Sequence, residues 1–439
     1  MATPLASLRA RYGTGPLLVA GALPFLFLLR NYQPTVAAGN VEVSLSDLAV
    51  LVVVSAAVWA ALHGRAPLRP SRAVWWACGA FAALVLVSTA WGAARYAAYP
   101  TSTHLTTAAK WIEYMLLAPA LVVLVPRARD LVPPGVVLVL WSCVATAVGV
   151  LQFVGVVGDF DGSPAGRRKP SFLGYHDFGA LSATALAISL VVLARGARRR
   201  LEYRLALAAG IAGAVGVVLG GAIDTLLGTY LAALGVVLVT RLREPRKLAI
   251  VAVLLVAITV GTALLRSSAL ADGLKFLGIK QGTGGASTHV QSYRQRAMLA
   301  YIGGRVFLDH PILGVGWQGS SDPYAFSPYV ADAKKRFDQP TKAFPSEQHR
   351  WGVQNAYVQS LADLGLLGLP AFLAALLVPA FLALRRGVGD ARVLGVALPL
   401  LVLGVWNGYG LVAGIPLAAL TWLGVGVAAA SVGFARAAE

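Results

Sequence analysis

The segment at residues 366–384 reads "LLGLPAFLAALLVPAFLAL" and contains no charged side chain. A helix needs about 20 predominantly apolar residues to cross a bilayer, with about 17 as a practical minimum. Because the segment satisfies this length, it predicts a transmembrane helix. Apolar runs of similar length recur along nearly the whole chain, so the same prediction extends to most of the sequence.

The bulk composition points in the same direction. Of the 439 residues, 57% are hydrophobic and 13% are charged, whereas average proteins carry about 25% charged residues. The sequence therefore predicts an all-α polytopic membrane protein with about twelve transmembrane helices. We expect these helices near residues 15–30, 45–62, 74–92, 108–125, 133–154, 178–194, 205–220, 223–240, 248–265, 366–384, 392–408 and 414–434.

The formal net charge of +18 reflects membrane topology and not a nucleic-acid partner. Short segments on the side of the N terminus, from Arg9 to Arg436, hold most of the lysines and arginines found in short loops. Such residues concentrate in the cytoplasmic loops of membrane proteins. We therefore expect a multi-pass protein of the cytoplasmic (inner) membrane, with both termini in the cytoplasm and the large loop external.

The chain divides into three predicted regions. Residues 1–265 hold nine spans, residues 266–354 form one large external loop, and residues 355–439 hold a short surface helix and the last three spans. Within the loop, "HVQSYRQRAMLAYIGGRVFLDHP" at 289–311 predicts a helix that Pro311 ends. We expect this loop to contain short helices and no separate soluble domain.

Three arginines lie on the helix predicted inside the external loop. At about 100° per residue, Arg294 and Arg305 share a face and Arg296 points away from both. Because guanidinium groups pair with phosphate oxygens, we predict that all three bind an anionic substrate. The alternative is a basic helix that meets anionic lipid headgroups.

Two polar turns stand at the ends of predicted helices. Gln354, Asn355 and Tyr357 open the surface helix, where free backbone N–H groups attract anions, and we predict that they bind sugar or phosphate. Asp224 lies in "GGAIDT" at 220–225 between two short spans. An ionisable residue at such depth is a functional candidate, although it can also act as a helix cap.

Histidines supply the remaining candidates. His310 precedes a proline in the turn "DHPILGVGWQGS", where it either binds substrate or fixes the turn. His349 lies five residues before Gln354 and is either a base or an ordinary loop histidine. His176 and Asp177 open the sixth span from outside, where they either cap the helix or take part in function.

Three segments together resemble a known family. They are "FLDHPILGVGWQGS" at 307–320, "QNAYVQSLADLGLLG" at 354–368 and, more weakly, "RRKPSFLGYHDFGALSA" at 167–183. In these segments the chain resembles the O-antigen ligase and polysaccharide polymerase superfamily of bacterial envelopes. The resemblance extends over roughly Gly155 to Leu384.

The resemblance implies a metal-independent glycosyltransferase that uses no cofactor. Members transfer a glycan from a polyprenyl diphosphate carrier to a glycan, lipid or protein acceptor at the outer membrane face. Membrane lipids and envelope polysaccharide assembly proteins are the other partners that it implies. In this family, arginines hold the diphosphate and a histidine accepts the proton of the acceptor hydroxyl.

The chain departs from the family pattern at both catalytic positions. The family histidine aligns with Gln354, which cannot act as a base, and an expected arginine aligns with Asp224. Arg296 best matches the other family arginine. The predicted base is therefore Asp224 first, followed by His349 and Glu347.

The predicted site gathers the arginine helix, the "DHPILGVG" turn, Asp224 and the "QNAY" turn around one external cavity that opens to lipid. A glycolipid transporter is a competing function, but the predicted spans carry few charges at their centres. A catalytically inactive scaffold in a polysaccharide assembly complex also remains open, because the family histidine is missing.

Overall fold

The computed structural model describes residues 4–28, 33–38, 41–64, 71–158, 160, 168–196, 200–267, 292–411 and 415–436. Their secondary structure is helical apart from one two-stranded antiparallel hairpin, β1 (Thr35–Ala38) and β2 (Val41–Ser44). The prediction of an all-α polytopic membrane protein is confirmed.

The first half of the chain contains short N-terminal helices and then long ones. These are α1 (Pro4–Tyr12), α2 (Thr14–Leu26), α3 (Leu45–Leu62), α4 (Arg72–Arg95), α5 (Thr101–Met115), α6 (Leu117–Leu124), α7 (Val132–Phe153), α8 (Tyr175–Arg195) and α9 (Arg200–Gly220). The helices α5 and α6 adjoin at Leu116 and together form one candidate span, Thr101–Leu124.

The second half contains two further spans, a segment of shorter helices and three final spans. These are α10 (Ile223–Thr240), α11 (Pro245–Leu265), α12 (Ser292–Asp309), α13 (Pro323–Arg336), α14 (Ala356–Leu364), α15 (Gly368–Arg386), α16 (Gly389–Val405) and α17 (Ile415–Arg436). We call residues 292–364, from α12 to α14, the helical cap.

Eleven helices in the described part of the chain are long and apolar enough to cross a membrane. The span predicted at residues 15–30 is the exception, because its helix α2 has only 13 residues. At 1.5 Å per residue such a helix is about 20 Å long, shorter than the hydrocarbon core of about 30 Å. The membrane class is therefore as predicted, and the described residues contain eleven full-length spans, compared with the prediction of about twelve.

The spans differ in how much protein surrounds them. The most apolar part of α17 is 94% buried, whereas that of α11 is 11% buried. Large apolar side chains on α11, such as Val253 and Leu264, are exposed. Because exposed apolar side chains on a spanning helix face lipid, α17 lies in the core of the bundle and α11 at its edge.

The helical cap has a small hydrophobic core of its own. Buried side chains from α12, α13 and the turn between them pack together, among them Met298, Ile302, Val306 and Phe326. The helix α14 begins at Asn355, whose side-chain oxygen accepts hydrogen bonds from the Tyr357 and Val358 amides, at 3.1 and 3.0 Å.

One tryptophan anchors the cap in the membrane bundle. Trp317 is fully buried, and its ring lies 6.1 Å from that of Trp111 in α5. Its indole N–H donates to Thr107 Oγ1 at 3.1 Å, and its backbone oxygen accepts from the Tyr99 hydroxyl at 2.9 Å. Buried aromatic contacts with satisfied polar groups fix orientation, so the cap and the bundle are held in a definite relation.

A buried carboxylate joins the turn before α13 to α14. Asp363 accepts hydrogen bonds from the backbone amides of Gln318 and Ser320, at 3.1 and 2.9 Å, and from Gln359 Nε2 at 2.9 Å. Burial raises the pKa of this carboxyl to about 6, while the hydrogen bonds from Ser320 and Gln359 oppose the rise. The turn before α13 and the helix α14 are therefore held together by the same carboxylate.

Candidate functional site

Four polar side chains form a continuous hydrogen-bonded chain where the cap meets the bundle. His176 Nδ1 lies 2.6 Å from Asp224 Oδ2, and His176 Nε2 lies 3.0 Å from Arg296 Nη2. Arg296 Nε donates to Gln354 Oε1 at 3.2 Å. We call these four residues the His176 cluster; they come from α8, α10, α12 and the turn before α14.

Close packing of helix ends brings the first two members together. Gly221 has a positive φ of 56°, which lets the chain reverse tightly between α9 and α10. A Cβ at Gly220 would lie 2.8 Å from the Tyr175 backbone oxygen, and one at Gly179 would lie 2.9 Å from the Thr225 side chain. The first turns of α8 and α10 therefore touch, which places His176 against Asp224.

The partners of His176 determine which ring nitrogen carries the proton. A carboxylate can only accept a hydrogen bond, and a guanidinium can only donate one. Asp224 therefore selects the proton on Nδ1, and Arg296 requires a lone pair on Nε2. In these contacts Nδ1 donates to Asp224 and Nε2 accepts from Arg296.

Asp224 is enclosed more completely than its histidine. Its side chain is 2% exposed, compared with 16% for His176. A Cβ on Gly408 would lie 2.5 Å from Asp224 Oδ2, so no larger residue fits beside the carboxylate. The ring of Tyr409 packs edge-on against His176 with centroids 4.7 Å apart, and burial raises the pKa of Tyr409 well above its ordinary value.

Two further arginines approach the same helix ends. Arg168 Nε donates to the Gly220 oxygen at 3.0 Å, and Arg266 Nη1 donates to the Gly221 oxygen at 3.1 Å. Burial and the nearby charge of Arg266 lower the pKa of Arg168 to about 10, and Asp224 opposes this fall. Nη2 of Arg168 is buried and has no hydrogen-bond partner among the described residues.

Positive charge is therefore concentrated around the first turn of α10. Three guanidinium groups, those of Arg168, Arg266 and Arg296, lie near the first turn of α10. Two buried carboxylates, Asp224 and Asp177, lie close to one another at the same place. The guanidinium groups outnumber the carboxylates, so the arrangement favours an anionic incoming group.

The structure gives the other predicted site residues different partners. Arg305 is exposed near the far end of α12, where its charge acts on Tyr329 and Asp332. His310 Nδ1 lies 3.3 Å from the Tyr96 hydroxyl, and the His349 ring stacks on Trp351.

The first turn of α14 is used for structure as well. Asn355 caps the helix, and its Nδ2 donates to the Asn407 backbone and side-chain oxygens at 3.0 and 2.9 Å. The Tyr357 hydroxyl donates to the Leu403 backbone oxygen. Arg294 is partly buried, and its Nε has no hydrogen-bond partner within the described ranges.

Of the predicted residues, the structure thus brings together Asp224, Arg296 and Gln354. It adds His176, whose position also suits a helix cap, and Arg168, which was not predicted as a site residue. Both lie in the segment "RRKPSFLGYHD", which ends in the first turn of α8. That segment was the weakest of the three resembling motifs, and it was the only signal in the sequence that pointed to them.

A cavity of about 290 Å³ lies elsewhere, between α2 and α3. Apolar side chains such as Leu18, Phe25 and Leu48 line it, and the His176 cluster takes no part in its lining. Within the described ranges, no group of three or more histidine, cysteine or acidic side chains could hold a metal ion.

No protein-family model and no curated protein matches this chain. Its helices establish a multi-pass membrane protein. The chemistry of the site is inferred below from the polar and charged groups that meet at the ends of α8 and α10.

Proposed function

We propose that the protein is a glycosyltransferase of the cytoplasmic membrane. It would transfer a glycan from a polyprenyl diphosphate carrier to an acceptor hydroxyl at the outer membrane face. The observation that carries this proposal is the contact of Arg296 with both His176 and Gln354. One guanidinium thereby joins a potential base to the polar turn that opens α14.

The charges of the site suit a diphosphate leaving group. Departure of a lipid diphosphate leaves extra negative charge on the phosphate oxygens, which fixed positive groups stabilise. Planar guanidinium groups bind phosphate oxygens in pairs. Arg168 and Arg296 supply such groups beside the first turn of α10.

The position of the site suits a donor that is anchored in lipid. His176 and Asp224 lie in the first turns of two candidate spans. Residues at the ends of spans lie near the membrane surface. The headgroup of a lipid-anchored donor can therefore reach them while its tail stays in the bilayer. A transport pathway would instead place ionisable groups near the centres of the spans.

The reaction is tested with the purified full chain in lipid nanodiscs. The substrate is the pool of lipid-linked glycans extracted from cells of the source organism that lack the protein. We expect release of polyprenyl diphosphate, detected by mass spectrometry, together with growth of an acceptor glycan. Boiled protein serves as the control.

Two other results would assign a different function. Movement of lipid-linked glycan across a sealed bilayer without release of polyprenyl diphosphate would indicate a transporter. Binding of the glycolipid without release or movement would indicate an inactive scaffold. Either result contradicts the proposed transfer.

The proposed orientation predicts the accessibility of single cysteines. In a variant without Cys78 and Cys143, Ser346→Cys is expected to react with a membrane-impermeant maleimide in intact spheroplasts. Arg246→Cys, in the first turn of α11, is expected to react only after permeabilisation, because basic segments at the ends of spans stay in the cytoplasm. The reverse pattern would place the cap in the cytoplasm. Ser268 and Arg199, which the sequence offers for the same test, lie outside the described residues.

A further inference from the structure

We propose that His176 is the general base of the transfer and that Asp224 positions it. This inference rests on the proposed function and names the residues that would replace the histidine missing at position 354. The contacts of the His176 cluster supply the argument.

Asp224 is poorly placed to meet an acceptor. Its Oδ2 is engaged with His176 at 2.6 Å, and its Oδ1 is buried. Gly408 also packs closely against the carboxylate. A sugar hydroxyl must come within about 2.6–3.2 Å of its base, and the enclosed carboxylate leaves no room for one.

The two ring nitrogens of His176 have the contacts that a general base requires. Its Nδ1 is held by Asp224 and its Nε2 carries a lone pair directed at Arg296. A carboxylate on one nitrogen orients the ring and stabilises the imidazolium that forms on proton transfer. The hydroxyl of the acceptor would therefore meet Nε2 beside the guanidinium that holds the diphosphate.

The hydrogen bond between Arg296 and Nε2 also implies an order of binding. In the structure Arg296 occupies the lone pair that the acceptor needs. A diphosphate offers Arg296 a charged partner, which forms a stronger hydrogen bond than a neutral imidazole does. The donor therefore binds first and releases Nε2 for the acceptor.

The transfer then balances as follows. The acceptor oxygen forms a bond to the anomeric carbon of the glycan, and the bond from that carbon to the phosphate oxygen breaks. The bonding electron pair leaves with the lipid diphosphate. The hydroxyl proton passes to His176 Nε2 and is later released to solvent or to the departing diphosphate, so no other reactant is consumed.

A second histidine–aspartate pair in the chain shows the contrast with a structural role. His104 Nε2 lies 2.6 Å from Asp322 Oδ2, the same separation as in the His176 pair. Its side chain is only 6% exposed, its Nδ1 is buried without a partner in the described part of the chain, and it packs on Tyr99. The second ring nitrogen of His104 is therefore buried in protein, whereas the second ring nitrogen of His176 contacts the Arg296 guanidinium.

The first test replaces His176 by alanine in the full chain. We expect release of polyprenyl diphosphate from the extracted glycolipid pool to fall by about 10²–10⁴-fold, which is the usual contribution of a general base. Binding of undecaprenyl diphosphate, measured by native mass spectrometry, should stay within a few-fold of wild type. Imidazole added to the buffer should restore part of the turnover, which a structural role would not allow. His63→Ala, an exposed histidine after α3, is the control.

The second test asks whether Asp224 acts through His176. Asp224→Asn presents an N–H to Nδ1, which favours the proton on Nε2 and removes the acceptor. We expect a large loss of turnover in Asp224→Asn, partial recovery in Asp224→Glu, and no further loss when Asp224→Asn is added to His176→Ala. Residues that act as one unit show this lack of additivity.

The outcomes separate this inference from the proposed function. Wild-type turnover in His176→Ala, or lost undecaprenyl diphosphate binding without imidazole rescue, would overturn the base assignment while the transfer itself stands. Additive losses in the double variant would remove the positioning role of Asp224. Absence of release by the wild-type protein would instead reject the proposed function.

Discussion

Replacing Arg296 by alanine is expected to lower release of polyprenyl diphosphate by about 10²–10³-fold, the usual effect of removing one preorganised donor from a site of developing charge. The same change should weaken binding of undecaprenyl diphosphate, because the guanidinium would contact the diphosphate before and during transfer. Arg296 also bonds to His176 and Gln354, so its loss separates the two halves of the cluster.

The comparison with lysine sharpens this prediction. Arg296→Lys keeps the charge but cannot bond to two partners with the same planar geometry. We therefore expect it to retain more binding than Arg296→Ala and to remain far below wild type in turnover. Lys335→Ala, at an exposed position near the end of α13, is the matched control for loss of a positive charge. Equal turnover in Arg296→Ala and Lys335→Ala would show that Arg296 has no role in the transfer.

Replacing Asp363 by alanine is expected to produce the largest loss of stability. The change leaves three donors without their acceptor, namely the buried Ser320 amide, the buried Nε2 of Gln359 and the part-buried Gln318 amide. Each buried donor without a partner costs about 1–3 kcal/mol, so the free energy of unfolding should fall by roughly 3–5 kcal/mol. Thermal unfolding in detergent, followed by size-exclusion fluorescence, should show a clearly lower midpoint.

Two further variants make the result specific. Asp363→Asn keeps the shape but turns an N–H toward one of the donors, so an intermediate loss is expected. Asp338→Ala removes an exposed acidic side chain between α13 and α14 and should leave the midpoint within a degree or so of wild type. If Asp363→Ala matched Asp338→Ala, the carboxylate would not support the cap.

Loss of the Asp363 carboxylate should also lower turnover at the His176 cluster. Asp363 fixes the turn that carries Trp317 against α14, and Gln354 lies just before α14. We therefore expect lower turnover in Asp363→Ala even below its unfolding midpoint, with the chemistry of the His176 cluster unchanged. The effect would be one of position, because Asp363 does not touch the cluster.

The amino-acid sequence by itself determined the membrane class and most of the helices. Whether a segment crosses a bilayer depends on its length and its apolar content, which are local properties. The first span was the exception, because its helix ends at Leu26. The same local rule singled out Asp224 as an ionisable residue at the end of a span.

Only the tertiary structure decided which polar groups meet. His176 lies 48 residues from Asp224 and 120 from Arg296, and Arg296 lies 58 residues from Gln354. No periodicity links such distant positions. Their contact depends on the tight Gly220–Gly221 turn and on the anchoring of the cap by Trp317. A histidine that looks like a helix cap in the sequence therefore becomes the partner of a buried carboxylate, because packing of helix ends sets side-chain neighbours that the local sequence does not encode.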